Sequence, residues 1–487
     1  MSIKKLKKGV NMFDVVVIGG GIIGGSILRE LTKYQLSVCM LEKESDVCMG
    51  ESKANSGIVH AGFDAAVGSL KAKFNVLGNK MMYSYANELG VKCINNGSLV
   101  VAYDEKELET LNELKIRGEQ NGVQGLEIID RQTLLKLEPN ISEKAVGALR
   151  APTGGIVCPY ELTIASIGNA MDNGAKLITE YEVCSIVKKD GIFTLTDKEG
   201  RKVEAKIVIN CAGINSAKIS ALAGDDSIKI GGRKGEYILL DRESGDFVKH
   251  TIFCCPTEKG KGILVSPTVD GNIILGPTAK ETGEHIAYTT ENGLKEIKEK
   301  AQGMTSNLPL YNAITSFAGI RAYSDKHDFI IEQSKKVQGL INCAGIESPG
   351  LTSAPAIAKY VVEDIVSTMI SLFNNDKFNG KRTPDYFFKN LTVEQKNELI
   401  KKDSSYGKMI CRCEQITEGE ILHAIRANPK ATTVDAVKRR TRAGMGRCQG
   451  GFCQIHVAEI IAEELKIPFD KVLKNGKKTE LVVGKTK

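Results

Sequence analysis

The sequence contains no tryptophan and only six histidines in 487 residues. No basic tract with interleaved aromatic residues occurs, and a formal net charge of +7 is modest for this length. The composition therefore gives no reason to expect a nucleic-acid-binding protein. The apolar run Val15–Leu28 is too short to span a bilayer and is interrupted by five glycines, so we expect no transmembrane segment either.

The chain also lacks a secretory signal pattern, although it contains thirteen cysteines, an odd number. We therefore expect a cytoplasmic protein with reduced thiols. Four of the cysteines form two close pairs, Cys411-Arg412-Cys413 and Cys448-x4-Cys453. Such pairs indicate a metal or cluster site in a chain without disulfides. The spacing does not match the C-x2-C pairs common in zinc sites, but zinc stays open as the alternative to an iron–sulfur cluster.

The N-terminal segment predicts a strand, a helix and a second strand in that order. Phe13–Ile18 is a continuous apolar run, which is typical of a strand buried on both faces. A helix is predicted over Ile23–Leu31, and a second apolar strand over Ser37–Leu41. This order is that of a dinucleotide-binding βαβ unit.

Three glycines between the first strand and the helix follow the pattern G-x-G-x-x-G. In this pattern Gly19 permits the tight turn, Gly21 lets the backbone approach a pyrophosphate, and Gly24 allows close helix–strand packing. Glu42 ends the second strand, 18 residues after Gly24. That is near the separation of about 20 residues expected for an acid that binds a ribose. We predict a dinucleotide site here.

Three further segments resemble the D-amino-acid-oxidase-like superfamily of FAD enzymes: Glu51–Asp64, Lys206–Ser216 and Gly339–Ala358. In that superfamily the first segment wraps the FAD pyrophosphate and isoalloxazine, and the second closes the FAD domain. The third is a strand and a glycine-rich loop that lead into a helix, whose dipole stabilises reduced flavin. Beside the glycines and Glu42, the resemblance implies these cofactor-binding residues: Asn55, Ser56, Gly57, Val183, Ala212, Gly213, Gly345, Gly350, Leu351 and Thr352.

The fold class implied is α/β, with a doubly wound Rossmann-like FAD-binding domain and an interleaved substrate domain. Stretches of alternating apolar and polar residues, such as Ser98–Tyr103, Glu236–Asp241 and Gly262–Gly276, predict that the substrate domain is mainly antiparallel. We predict the following boundaries: FAD-binding domain, 13–90, 150–228 and 320–370; substrate domain, 91–149 and 229–319; polar linker with one short helix, 371–403; small helical cluster module, 404–462; basic, loosely attached tail, 463–487.

The C-terminal module resembles the bacterioferritin-associated-ferredoxin-like domain, which binds a 2Fe–2S cluster through four cysteines. The resemblance implies four ligands: Cys411, Cys413, Cys448 and Cys453. The glycines between residues 444 and 451 are expected to let backbone N–H groups point at sulfur. Nearby arginines are expected to offset the negative charge of the cluster, a solvated or nucleic-acid-binding face being the alternative: Arg412, Arg439, Arg440, Arg442 and Arg447.

Over nearly its whole length the chain most resembles flavin-dependent glycerol-3-phosphate dehydrogenases of the anaerobic type, which carry the fused cluster module. The L-2-hydroxyglutarate dehydrogenase/oxidase group is a close second, because its patterns match Asn55–Gly62 and Ser348–Ser353. Both groups oxidise a secondary alcohol by hydride transfer to flavin N5. Many glycerol-3-phosphate enzymes have a lysine in the loop where this chain has Glu347, which weakens the phosphate assignment.

The resemblance also implies the residues at the substrate. His60 is expected to act as the base for the hydroxyl or as a hydrogen-bond donor to the substrate, a structural histidine being the alternative. Arg321 is expected to bind the phosphate or carboxylate, because a guanidinium group binds an oxyanion at two points. Its alternative is a surface ion pair. Lys234 or Arg233 would supply a second cation. The other histidines form no constellation: His250, His285, His327, His423 and His456.

We therefore expect an FAD-dependent dehydrogenase that oxidises sn-glycerol 3-phosphate and passes electrons through a 2Fe–2S cluster to a partner. One alternative substrate is L-2-hydroxyglutarate. Another alternative is the flavin subunit of an amino-acid or opine dehydrogenase complex, which would oxidise an amine. A non-enzymatic electron-transfer or assembly protein is a further alternative. The resemblance implies redox partner subunits, which would hold a cytoplasmic chain at the inner face of the membrane.

Overall fold

The structure is a computed structural model that describes residues 11–256, 262–283, 286–382, 388–482 and 484. Of the positions discussed above, His285, linker residues 383–387 and the end of the tail lie outside these ranges. Among the described residues, no helix has both the length and the apolar character needed to cross a membrane.

The described strands and helices are as follows. The strands are β1 (Asn11–Ile18), β2 (Val38–Leu41), β3 (Ile58–Val59), β4 (Cys93–Ile94), β5 (Ser98–Ala102), β6 (Glu127–Asp130), β7 (Gly147–Ala151), β8 (Gly155–Val157), β9 (Lys176–Ile178), β10 (Val183–Lys189), β11 (Ile192–Asp197), β12 (Lys202–Asn210), β13 (Ile230–Leu240), β14 (Thr251–Cys254), β15 (Leu264–Pro267), β16 (Ile273–Gly276), β17 (Lys280–Thr282), β18 (Ala313–Ser324), β19 (Ile330–Gln333), β20 (Leu340–Ala344), β21 (Met409–Cys411) and β22 (Ile416–Thr417). The helices are α1 (Ile22–Leu31), α2 (Leu70–Glu88), α3 (Glu105–Gln120), α4 (Arg131–Leu137), α5 (Pro159–Asp172), α6 (Ser216–Leu222), α7 (Glu291–Met304), α8 (Gly350–Tyr360), α9 (Val393–Lys402), α10 (Glu418–Arg426), α11 (Val434–Thr441) and α12 (Gln454–Leu465).

The first sheet is the doubly wound one that the sequence predicts. Its strand order is β10-β11-β12-β1-β2-β9, with β20 beside β12 and β19 beside β20. β1 runs parallel to β2 and β12, and β12 runs parallel to β20. Val15 and Val16 point to opposite faces of the sheet and both are fully buried, as in a parallel sheet covered on both sides. β1, α1 and β2 begin within two residues of their predicted starts, and the predicted fold class is confirmed.

The second sheet is mainly antiparallel, as the alternating segments predict. Its order is β17-β13-β16-β15-β14-β5-β7-β6, with β18 on the other side of β13. The pair β5–β14 is the parallel exception. A turn at Asp270-Gly271, within the alternating stretch Gly262–Gly276, joins β15 to β16, and Gly271 has a φ of +85°. β18 stays in this sheet as far as Ser324, beyond the domain boundary predicted at residue 319.

The C-terminal module is a small helical unit with its own core. Helices α10, α11 and α12 bury apolar residues such as Ile421, Val437 and Ile461 beside the hairpin β21–β22. The linker before it is held against the first domain, because the buried Arg29 donates to the carbonyl oxygen of Gly380 at 3.0 Å.

The expectation of a loosely attached tail is wrong for its described residues. Val472 is buried in the core of the module. The backbone N–H groups of Val434 and Asp435 donate to the carbonyl oxygens of Leu473 and Lys474. The basic composition misled because it describes the exposed side chains, whereas the tail is attached through apolar residues and the backbone.

Candidate functional site

A cavity of about 1190 Å³ is lined by residues from both sheets. Its walls come from the β1–α1 loop, from residues 49–60, from β13 and β18, and from the loop before α8. Single-ligand pockets usually measure about 300–1,000 Å³, so this cavity has room for a large cofactor and a small substrate together.

The glycine-rich turn at one end of the cavity has the geometry that a dinucleotide requires. Gly19 has a φ of +110°, and a Cβ atom there would lie 2.4 Å from the carbonyl oxygen of Cys211. A Cβ atom on Gly24 would lie 2.1 Å from the carbonyl oxygen of Gly19, so the helix can start here only with glycine. Glu42 accepts a hydrogen bond from the backbone N–H of Gly20 at 2.6 Å, and burial raises its pKa. These residues fit the FAD implied by the sequence.

Most of the predicted cofactor residues line the cavity: Gly19, Gly21, Glu42, Asn55, Ser56, Val183, Ala212, Gly213, Gly345, Gly350 and Leu351. Gly24, Gly57 and Thr352 lie behind its wall. Gly57 has a φ of +68° and packs against the carbonyl oxygen of Val157. The hydroxyl of Thr352 accepts from the backbone N–H of His60 at 2.9 Å, so Thr352 fixes the position of His60. The individual roles of these residues stay predictions.

Ser52 and Glu51 are two of the cavity residues that were not predicted from the sequence. The hydroxyl of Ser52 accepts from the backbone N–H of Ile22 at 2.9 Å, at the start of α1. Glu51 is partly exposed at the cavity wall, where desolvation raises its pKa to about 8, and it accepts from the backbone N–H of Ala322 at 3.3 Å. Both lie in the segment that resembles the FAD superfamily, but only the packed fold shows which of its residues meet α1 and β18.

His60 lines the cavity beside the loop that precedes α8. Its Nε2 atom lies 3.2 Å from the hydroxyl oxygen of Ser348. The side chains of Asn75 and Asn79 donate to its carbonyl oxygen at 2.7 and 3.1 Å. The histidine ring is therefore presented to the cavity by a backbone that is held on several sides.

Two arginines face each other in the cavity wall. Arg233 on β13 and Arg321 on β18 are direct cross-strand partners, and both line the cavity. Arg321 donates to the carbonyl oxygen of Thr278 at 2.6 Å, while its buried Nε has no hydrogen-bond partner among the described residues. Like charges directly opposite each other destabilise a sheet. An anion bound between the arginines would offset that cost.

The structure does not place Lys234 at the substrate cavity, contrary to the prediction. Successive side chains of a strand point to opposite faces, so Lys234 points away from Arg233. Its ammonium lies 3.1 Å from the carboxylate of the fully buried Glu236. Lys234 is also absent from the cavity lining, so Arg233 is the second cation that the structure brings to Arg321.

The four predicted cluster ligands converge at one end of the module. The sulfur atoms of Cys413 and Cys448 are 3.7 Å apart. A hydrogen bond from the Cys453 thiol lowers the pKa of Cys411 to about 6, aided by the backbone N–H groups of Gly444 and Glu414 against the effect of burial. Burial opposes ionisation of Cys448 too, but backbone N–H groups of residues 450–452 lower its pKa. Four convergent thiols with N–H donors fit the implied 2Fe–2S cluster.

The arginines of the module have another role than the one expected. Arg439 and Arg440 both bind the carboxylate of Asp46, at 2.6 and 2.8 Å, and all three side chains are buried. Arg442 binds Glu414 and Asp270 at 2.9 and 2.5 Å. These guanidinium groups are thus neutralised by carboxylates, and they join the module to both larger domains.

A series of close approaches lies between the cavity wall and the cluster ligands. Gly57, which follows two lining residues, packs near the ring of Pro159, with 3.4 Å between its Cβ position and the Pro159 Cδ atom. The hydroxyl of the adjacent Tyr160 lies 3.4 Å from the sulfur of Met445. Gly446 follows Met445, and a Cβ atom on it would lie 2.4 Å from Cβ of Cys413.

Comparison with known proteins agrees with this geometry. Residues 14–364 match the FAD dependent oxidoreductase (DAO) family, and residues 409–463 match the BFD-like [2Fe-2S] binding domain. The chain is 48% identical over 478 residues to glycerol 3-phosphate dehydrogenase of Caloramator mitchellensis, covering 98% of this chain and 99% of that protein. It is 33% identical over 289 residues to L-2-hydroxyglutarate dehydrogenase of Bos taurus, covering 56% of this chain and 62% of that enzyme.

A solved structure is similar over the two larger domains. This is dithionite-reduced L-alpha-glycerophosphate oxidase from Mycoplasma pneumoniae with FAD bound. It superimposes with a TM-score of 0.73 and 31% identity, covering 77% of this chain and 99% of that one.

Proposed function

The chain belongs to the FAD dependent oxidoreductase family and carries a BFD-like [2Fe-2S] binding domain, and from this we propose that it oxidises sn-glycerol 3-phosphate to dihydroxyacetone phosphate. The observation that carries the proposal is the pair Arg233 and Arg321 in the cavity wall, which calls for an anion. The relative that matches over the full length, cluster module included, is a glycerol 3-phosphate dehydrogenase, which favours this substrate over L-2-hydroxyglutarate.

Three side chains of the cavity, those of Arg321, His60 and Ser348, act in the oxidation of glycerol 3-phosphate. When bound, FAD supplies the hydride acceptor, and the 2Fe–2S cluster carries single electrons. Arg321 holds the anionic end of the substrate, because it lines the cavity and its fork geometry suits an oxyanion. His60 takes the proton of the secondary hydroxyl, and Ser348 orients the imidazole through the 3.2 Å contact with Nε2.

Electrons are proposed to reach the cluster along the contacts between the cavity wall and the module. Pro159, Tyr160 and Met445 lie one after another along this line between Gly57 and Gly446. Arg442 donates to the hydroxyl of Tyr160 at 3.2 Å and holds this junction in place.

We also propose that a partner redox protein collects the electrons at the surface of the module. Cys413 is exposed, so one edge of the cluster site faces outward. Phe452, in the loop between two cysteine ligands, exposes 84% of its surface and is available for contact with a partner. A membrane-associated partner would bring the chain to the membrane.

The test is an anaerobic visible spectrum of the purified protein before and after substrate. Glycerol 3-phosphate is expected to bleach the flavin band near ~450 nm, followed by loss of cluster absorbance and appearance of a reduced-cluster paramagnetic resonance signal. Bleaching by L-2-hydroxyglutarate alone, or by a secondary amine alone, would overturn the substrate. Bleaching of the flavin with a cluster that stays oxidised would overturn the electron route.

A further inference from the structure

We propose that Lys71 and Arg233, joined through the carboxylate of Glu347, form a clamp that binds the terminal phosphate of the substrate, with Glu347 as its positioning residue. The nature of the anion rests on the proposed function. The clamp would add Lys71, from a helix that contributes no predicted site residue, to the arginine pair described above.

The three side chains form one connected group in the cavity wall. The ammonium of Lys71 lies 3.0 Å from one carboxylate oxygen of Glu347, and the guanidinium of Arg233 lies 3.1 Å from the other. The side chains are 16%, 28% and 11% exposed, and all three residues line the cavity. One carboxylate thus holds two cations from different domains.

The two cations keep most of their hydrogen-bonding capacity for a ligand. An ammonium has three donors and a guanidinium has five, and the bond to Glu347 uses one of each. With Arg321, the group contains three cations against the single carboxylate of Glu347. The nearby Glu51 adds little charge at neutral pH, because burial raises its pKa to about 8. The group therefore has an excess of positive charge suited to a phosphate dianion.

Further contacts hold the two cations of the clamp, Lys71 and Arg233, in position. Lys71 lies in the first turn of α2, where the backbone N–H groups of Leu70 and Lys71 donate to the carboxylate of Asp328 at 2.8 and 2.9 Å. The guanidinium of Arg233 lies over the ring of Tyr323, 4.8 Å from its centroid. Side chains that are already held in position lose little conformational entropy when an anion binds, so these contacts favour binding.

The clamp also lies close to His60, the proposed base for the substrate hydroxyl. Glu347 is followed by Ser348, whose hydroxyl lies 3.2 Å from Nε2 of His60. One short loop therefore connects the residues that hold the phosphate to the residue that accepts the hydroxyl proton. Glycerol 3-phosphate carries its phosphate one carbon away from the secondary alcohol, so both groups can be bound on this loop at once.

The experiment uses the full-length, FAD-loaded protein and the variant Lys71→Met. Its matched control is Lys73→Met, because Lys73 is on the same helix but is exposed and does not line the cavity. We expect Lys71→Met to raise KM for glycerol 3-phosphate about 10- to 100-fold, or about 1.4–2.8 kcal/mol, with kcat changed less than about threefold. Lys71→Arg is expected to restore most of the affinity, and Lys73→Met to leave KM unchanged.

Two further readouts separate the clamp from a merely structural ion pair. Binding of inorganic phosphate, followed by the change it causes in the absorbance of the oxidised flavin, should weaken in Lys71→Met by the same factor as KM. Oxidation of uncharged glycerol should have the same kcat/KM in Lys71→Met as in the wild type. An unchanged KM for glycerol 3-phosphate, or an equal loss with glycerol, would overturn the clamp.

The role of Glu347 has its own test. Glu347→Gln keeps the shape but offers one acceptor oxygen, so it cannot hold both cations, and KM for glycerol 3-phosphate should rise about 3- to 10-fold. A lower KM would mean that Glu347 only competes with the substrate, which would overturn its positioning role. If glycerol 3-phosphate fails to reduce the wild-type flavin, the proposed function falls. If it reduces that flavin and Lys71→Met behaves as wild type, only the clamp falls.

Discussion

Replacing Asp46 by asparagine should release the cluster module from the FAD-binding domain. Asp46 is the shared carboxylate partner of Arg439 and Arg440, and all three side chains are buried. Burial would raise the pKa of Asp46, but the guanidinium groups of Arg440 and Arg439 hold it below its usual value. Removing one partner of a buried ion pair costs about 3–5 kcal/mol, because the remaining charges are left without compensation.

Hydrogen exchange at the backbone amides of α11 would measure this effect. A loss of about 3 kcal/mol should speed exchange there by about 100-fold, since each 1.4 kcal/mol corresponds to a factor of ten. The contribution of Asp46 is present above the usual aspartate pKa of about 3.9 and is lost as pH falls through its lowered value in the folded protein. The difference between wild type and Asp46→Asn should therefore shrink in strong acid.

The control is Glu243→Gln, which removes one of the two carboxylate partners of Arg447. That pair also joins the module to the substrate domain, at 2.7 Å, but both side chains are more than half exposed. An exposed pair is screened by water, so no measurable change in exchange is expected. Equal exchange in α11 of wild type and Asp46→Asn would refute the view that buried ion pairs hold the module in place.

Three other predictions concern the site. Arg321→Lys should raise KM for glycerol 3-phosphate about 10-fold or more, because an ammonium lacks the fork that binds two oxygens; steady-state kinetics with Lys280→Arg as an exposed control would check it. Cys413→Ser should leave flavin bleaching by substrate intact while the reduced-cluster resonance signal disappears; loss of bleaching as well would contradict separate roles for the two sites. Glu51→Gln should make the FAD-free protein less sensitive to pH. The wild type should lose stability between about pH 4.5 and 8, where the unfolded chain ionises Glu51 and the folded one does not, and urea midpoints for both proteins across this range would show the difference.

The sequence predicts well those parts of the fold that depend on residues close to one another in the chain. Gly19 and Gly24 are set by a turn and a helix start that follow one another in the chain, and both have the expected close contacts. The four cysteines were identified because ligand spacing is itself a local pattern, and the family and both cofactors inferred from these motifs are confirmed. The interleaving of two domains was inferred from the order of the motifs.

What the sequence did not show depends on partners that are distant in the chain. Arg440 contacts Asp46 across 394 positions, so nothing near the arginine run distinguished a docking surface from a charge shield for the cluster. Lys71 and Glu347 are separated by 276 positions. The choice between Arg233 and Lys234 required knowing which face of β13 is turned to the cavity, because neighbours on a strand point in opposite directions.

The position of Asp46 explains why the module is anchored where it is. Asp46 lies four residues after Glu42, whose carboxylate accepts from Gly20 in the glycine-rich turn. Two residues further on, the backbone N–H of Cys48 donates to the carbonyl oxygen of Gly20 at 2.8 Å. One short segment thus supports the dinucleotide turn on one side and receives the arginines of the module on the other. Electron transfer depends steeply on distance, and this segment is one of the attachments that hold the cluster module near the cofactor turn.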